Sequence, residues 1–485
     1  MSDSAVGIDV GSTNVKVVRV DESGALVAST QRPLATRRDG DVVEQDAEVT
    51  WTAVVDAVRE VADPSVGALA VCSQYSSIVP VDTELRPVAP MTMYDDQRGS
   101  DLCWALMAEH PDAFERFMDI HGIPPIGSGL SLGHLLHFQQ ERPEVHDRTA
   151  RYLEAMDYVV ARLTGRATAT QNTMFTAQLN DNRTLGITRY HEELLGLSGV
   201  DASRLPELVP VDAVVGTVQA DVAQALGLDG GVEVRAGLND SAAGALAAGV
   251  LADGRAGIAM GTTAVVLDTV ADKRGDLDAE LVSMPGARPD HYLASAENGI
   301  AGKAVEHGMA LLDGSFAHLE TALVASPPGA GGVLFLPWMV GSMAPAGDRL
   351  ARGAFLNVSL ETTREDLVRA MVEGTAHNLA WLLPQVEGFT GQACSSLVFF
   401  GGTARSLGWA QALADTLGRP VSTLADPEVA VAVAVARHAQ GADTEPVVAA
   451  TYEPRPEAHE RLQPAQEQFQ AAWEALRPLH HALNA

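Results

Sequence analysis

The sequence predicts an α/β protein built twice, with mixed sheets on either side of a shared cleft. Two matching stretches carry this. Val6-Gly7-Ile8-Asp9-Val10-Gly11-Ser12-Thr13-Asn14-Val15-Lys16-Val17-Val18 alternates apolar residues, breaks at a small polar turn and resumes, the pattern of strand, tight turn, strand. Gly257-Ile258-Ala259-Met260-Gly261-Thr262-Thr263-Ala264-Val265-Val266-Leu267 has the same form. Gly11 and Gly261 stand 250 positions apart in a chain of 485, so each hairpin heads one half. The apolar mass is Ala, Val and Leu, with only 5% aromatics, which suits α/β layers better than an aromatic-rich sandwich.

In chain order, a turn at 21–24 leads into a third antiparallel strand over 25–30. An amphipathic helix over 48–61 follows, with Trp51, Val54, Val55, Val58 and Val61 on one side. Buried-type strands follow at 68–72 and 78–81, so a meander then helix and strand opens a mixed-sheet domain. Helices dominate from about Ser100 to a stop at Gly165. The polar stretch 168–181 has no clear period, and a short helix is expected over 221–226. A strand over 232–236 runs into Gly237 to Gly249, where Asp240 heads a helix of very small residues. The second half offers a strand at 333–337, a long helix over 364–382, a strand at 396–400 running into Gly401-Gly402, a helix from about Leu407 and an Ala/Val helix over 428–437 packed on a sheet. The tail from about Glu445 puts Leu462, Phe469, Trp473, Leu476 and Leu479 on one helical side and is expected to dock on the core.

The net charge of −30 disfavours nucleic acid and anionic membranes as partners. It also repels a free nucleotide, so any such site needs local compensation by backbone N–H groups, cations and a metal. Cys72, Cys103 and Cys394 lack metal or disulfide spacing, which fits a reducing compartment, and a cytoplasmic location is expected. The N-terminus shows no secretion-signal pattern, and no apolar run approaches the ~20 residues of a membrane helix.

Asp9, at the end of the first strand, is a candidate metal ligand. Gly11, Ser12 and Thr13 can turn backbone N–H groups and hydroxyls toward a phosphate, and Lys16 can add a point charge. Taken alone, the stretch reads slightly better as an ordinary hairpin with a solvated lysine; the second turn, Gly261-Thr262-Thr263, favours a triphosphate held between two turns. Gln74, Tyr75 and Asp96 belong to the densest polar cluster, at 71–98, and suit the hydroxyls of a polyol, although a loop capping the next helix would look the same. Asp240 can be an N-cap, the commoner use of such a residue, a general base held at a cleft, or both at once. Glycines 401 and 402, between strand and helix, let a ligand lie against backbone.

Several of these pieces occur together and in order in one known group. The chain resembles the FGGY family of carbohydrate kinases over nearly its whole length: the first hairpin, Val43-Glu44-Gln45-Asp46 with Trp51, Asp96-Gln97-Arg98, Met156-Asp157-Tyr158 with Arg162-Leu163-Thr164-Gly165, Gly237 to Gly249, Gly261-Thr262-Thr263, Gly353-Ala354-Phe355 through Glu373-Gly374, and Phe400-Gly401-Gly402 through Trp409-Ala410-Gln411. The resemblance implies two actin-like, ribonuclease-H-like domains flanking a nucleotide cleft, here 1–249 and 250–445, with a helical tail over 446–485. It implies transfer of the γ-phosphate of ATP, with Mg²⁺, to a small sugar or polyol. In that scheme Asp240 is the base and Asp9 the metal ligand. Gly11, Ser12, Thr13, Lys16, Gly261, Thr262, Thr263, Gly401, Gly402 and Arg405 hold the nucleotide, and Gln74, Tyr75, Asp96 and Asn239 hold the sugar. Departures fall on the substrate side. His134 stands where the family often has Lys, Asn357 where it usually has Gly, and Gln74-Tyr75 matches neither the glycerol-kinase nor the xylulokinase pair. A ketopentose such as xylulose is the expected acceptor, with gluconate, glycerol or a tetritol as alternatives. A non-catalytic actin-like switch is the reading from another class. A homodimer is compatible with all of these.

Overall fold

The structure is a computed structural model and describes residues 4–127, 129–252, 254–442 and 445–484. The N-terminal half is organised around the strand Ser4–Val10. It pairs antiparallel with Asn14–Val20, which pairs antiparallel with Leu26–Pro33. On its other side it runs parallel to Val66–Ser73, which is parallel to Glu233–Arg235. The C-terminal half repeats this order and sense. Tyr292–Ile300, Thr263–Val270 and Arg255–Met260 pair antiparallel, and Ser396–Phe400 and Val421–Leu424 then continue in parallel. The duplication expected from the two hairpins therefore extends to five strands in each half, in sheets of seven and eight strands. This is the actin-like arrangement that the resemblance implied.

A five-stranded sheet, carrying Val42–Gln45, Ile78–Val81 and Arg151–Glu154 among its strands, forms a separate layer beside the N-terminal sheet. The polar stretch without a period is almost wholly buried. Thr170, Asn172, Thr173, Gln178, Asn180 and Asn182 are all within 5% exposed, and they fold through short-range bonds such as Thr170 N–H to Thr173 Oγ1 at 2.9 Å.

The halves meet through two exchanged helices. Asp240–Ala248, from the first half, lies on the C-terminal sheet, with Gly244 against Leu267 and Phe400. Ala430–Ala439, from the second, lies on the N-terminal sheet, so the sheet it covers belongs to the other half. A Cβ on Gly7 would run into the Ala432 carbonyl oxygen, and one on Gly257 would strike Ala248. Close approach of helix and strand backbone is what the Ala- and Gly-rich sequences of this region permit. The two helices join residues of both sheets in one hydrophobic cluster.

The long helix Arg364–Thr390 runs further than its sequence pattern suggested and ends at Gly391 in the left-handed conformation. The tail begins as a strand, Val448–Tyr452, on the edge of the C-terminal sheet and continues as the helix Pro456–Asn484. Leu462, Phe469 and Trp473 are buried, the last two against Trp338, whereas Leu479 is exposed.

Candidate active site

Asp9 stands at the end of Ser4–Val10, between Lys16 across the hairpin and Cys72 on the parallel neighbour. The Lys16 ammonium lies 3.9 Å from its carboxylate and the Cys72 thiol 3.7 Å. Crowding by protein pushes the Asp9 carboxyl up, and Lys16 and Cys72 only partly offset this. The turn beyond is closed by Gly11 N–H donating to Asn14 O at 3.0 Å. It is pinned from behind by the Gln45 amide, which donates to Ser12 O at 2.6 Å. Thr13 is exposed.

The second turn is built in the same way. Gly261 N–H donates to Thr263 O at 2.9 Å, and Thr262 O accepts from Ala301 and Lys303 at the start of the next helix. Gly261, Thr262 and Thr263 are all exposed. Ala259 pairs with Phe400, so Gly401 and Gly402 emerge beside this turn. Thr403 Oγ1 ties the loop to Met260 O at 2.9 Å, and a Cβ at Gly302 would strike both Gly261 O and Thr403. Gly402 is open on the side where its Cβ would stand. Arg405 pairs with Glu428 at 2.7 Å.

Asp240 sits between these parts. Asn239, not Asp240, is the N-cap of the alanine-rich helix: its Oδ1 accepts the Ala242 N–H at 2.8 Å. Sequence alone left the cap and base roles of Asp240 open; the structure gives the cap to its neighbour. Asp240 is exposed. It is nevertheless crowded enough that its carboxyl is pushed up to about 7, first by loss of hydration and then by Asp9 and Glu297, against the pull of the Ser241 N–H. Asp9 belongs to the N-terminal half and Glu297 to the C-terminal half, so Asp240 faces the gap between them.

On the sugar side, Gln74 is 7% exposed and neither atom of its amide has a protein partner. Tyr75 is half-buried, and burial, Glu297 and Asp240 all raise its phenol. Asp96 has most of its carboxylate committed. It accepts Val43 N–H at 2.8 Å and Arg98 guanidinium N–H groups at 2.8–3.0 Å. Burial acts to raise its pKa, but these bonds hold it below the usual carboxylate range. Arg98 also pairs with Glu44 at 2.9 Å. Asn239 is fully buried, its amide donating to Asn172 O at 3.3 Å. Of the four sugar candidates, Gln74 keeps both atoms of its amide open, whereas the Tyr75 hydroxyl meets the Ser241 side chain. His134 is buried with neither ring nitrogen partnered, and desolvation lowers it to about 4, so it is neutral. Sequence reading passed over Glu297; its signal was a lone carboxylate in the apolar run 292–300.

Two family descriptions account for most of the chain. The N-terminal domain of the FGGY family of carbohydrate kinases matches residues 4–247, and the C-terminal domain matches 256–439. The chain belongs to the FGGY family of carbohydrate kinases. It is accordingly a sugar phosphotransferase, of a family that uses ATP. A relative from Staphylococcus epidermidis, named xylulose kinase, is 27% identical over 87% of this chain and 85% of its own. The structure of xylulose kinase from Rhodospirillum rubrum is similar at a TM-score of 0.87 and 25% identity, covering 99% of this chain and 100% of that one. Gluconate kinase from Lactobacillus acidophilus shares the fold at a TM-score of 0.84 and 20% identity, covering 98% of both. Among the described residues no helix is long and apolar enough to cross a membrane.

Proposed function

We propose that this FGGY kinase transfers the γ-phosphoryl group of ATP to a hydroxyl of a ketopentose such as xylulose. The observation that carries this is Asp240: a carboxylate not used as the helix cap, facing the gap between the two turns, with its pKa near neutrality. A base is most effective when its pKa lies near the working pH. The names of the full-length relatives support the choice of acceptor.

In this reading Gly11, Ser12, Thr13, Gly261, Thr262 and Thr263 hold the phosphates, and Lys16 moves between Asp9 and a phosphate oxygen. Gly401, Gly402 and Arg405 flank the adenosine. The donor set fits the group: two turns of small residues that reach the surface, an open glycine ledge beside one of them, and an acid, Asp9, which suits Mg²⁺ through water. ATP with Mg²⁺ supplies the transferable phosphoryl group and neutralises its charge. Asp240 takes the proton of the attacking hydroxyl. Gln74 and Tyr75 orient the acceptor. Asp96 and Asn239 act from behind, Asp96 by fixing Arg98 and Val43 and Asn239 by fixing the helix that carries the base. Closure of the halves excludes water, which competes as acceptor.

A coupled assay of ADP release over pentoses, hexoses, polyols and aldonates tests this. The expected result is sugar-dependent turnover, highest with a ketopentose. Slow hydrolysis that is the same with every sugar would favour a nucleotide switch instead.

A further inference from the structure

We propose that Glu297 is a specificity-determining residue of the acceptor site, contributed by the C-terminal half, which accepts a hydrogen bond from a hydroxyl of a neutral sugar or polyol and keeps sugar acids out. The inference rests on the kinase reading of the cleft and narrows its substrate class.

The strand Tyr292–Ile300 is buried along most of its length, and Glu297 is its one exposed residue. Leu293 points into the core shared by the two halves. The two-residue period of a strand puts Ser295 and Glu297 on that same face, further toward the opening. The pairing slips beside Glu297: Ala264 pairs with Gly299 but Val265 with Glu297, so Asn298 is an extra residue. Bulges of this kind re-aim side chains. Asn298 turns inward, donating to Ala344 O at 2.9 Å and Asn378 O at 3.3 Å. Glu297 is left exposed and paired with Val265, two residues past Thr263 of the second phosphate turn.

Nothing in the fold gains from a carboxylate here. Among the described residues no cation pairs with Glu297, and both burial and Glu280 push its carboxyl up. Across the gap it influences Tyr75 and Asp240, the proposed orienting residue and base. Of the cations in the site, Lys16 pairs with Asp9 and Arg98 with Asp96 and Glu44, while Arg349 acts on Glu280. A hydroxyl placed there donates to a charged acceptor, a strong hydrogen bond. The carboxylate of an aldonate would meet Glu297 and Asp240 with no cation to receive it.

The test measures kcat/KM for D-xylulose and D-gluconate, and for further neutral sugars with their aldonates, in the full-length protein and its Glu297→Gln and Glu297→Lys variants. Wild-type protein is expected to favour the neutral member of each pair. Glu297→Gln should shift the ratio toward the aldonate by about tenfold or more, and Glu297→Lys further. Glu297→Gln should also move the acid limb of the pH–rate profile to lower pH, because Asp240 loses one like charge while Asp9 still acts on it and Cys72 and Tyr75 still feel its charge. Thermal unfolding confirms folding, with a melting temperature for Glu297→Gln at or above that of the parent. Wild-type preference for an aldonate, or an unchanged ratio in both folded variants, overturns the proposal and leaves the kinase reading standing. Turnover of no acceptor at all overturns the kinase reading itself.

Discussion

Asp240 is a residue whose chemistry conflicts with its stability. In an unfolded chain its carboxyl ionises near 3.8, whereas in the fold it is pushed up to about 7. The folded state therefore holds a proton that the unfolded state has lost over this interval, and stability falls as pH rises through it. Below about 3.8 neither state is ionised and the cost is absent; above about 7 it is complete. Asp240→Asn should thus melt higher than the parent at pH 8, with the gain fading toward pH 4 in a scan of melting temperatures. The same variant should still bind ATP while turnover drops by a factor on the order of 10²–10⁴, the scale of lost general-base catalysis. The parent's kcat/KM should rise with pH and level off past an apparent pKa near 7. An acid limb near 4 would show that a carboxylate with an ordinary pKa is the base.

At the scale of elements, the exchanged helices and the tail make separable claims. Gly7 lets Ala430–Ala439 lie directly on the strand Ser4–Val10. Gly7→Val forces the two apart, and overpacking of this kind costs about 1–3 kcal/mol. Denaturant unfolding should show that loss, together with reduced turnover, because the strand carries Asp9. The tail helix buries Phe469 and Trp473 against Trp338 and Trp381. Trp473→Ala should cost about 3–5 kcal/mol, the usual range for a buried tryptophan. A midpoint unchanged from the parent would mean that the helix contributes little to the C-terminal core.

At the scale of the molecule, the two halves share one cluster of apolar side chains behind the cleft, with the polar groups in front. Closure of the halves about that cluster is the motion proposed to bring the turns together. Small-angle scattering should show a more compact particle with a non-hydrolysable ATP analogue and sugar than without them, and ATP hydrolysis without sugar should be far slower than sugar-dependent turnover. Much of this was legible in the chain. The strands around Asp9 and Gly261 announced themselves because each hairpin sets apolar strands on either side of a small-residue turn. The stretch 168–181 did not, because it is a buried polar loop held partly by local bonds such as Thr170 with Thr173 and partly by distant ones such as Asn172 to Pro285, which leave no period to read. Glu297 was missed because a single carboxylate in a strand says nothing until the bulge at Asn298 shows which way it faces.

The sequence by itself determined the duplicated hairpins, the family and the acid at the head of the alanine-rich helix, since these depend on local pattern and short spacing. Only the tertiary structure decided that Asn239 caps that helix and frees Asp240, that Asp96 is tied to Arg98, that the helix Ala430–Ala439 covers the other half's sheet and that Glu297 reaches the cleft. Each of these depends on which surfaces pack together across some tens to hundreds of residues, and burial, which sets both the pairing of polar groups and their charge, exists only once that packing has formed.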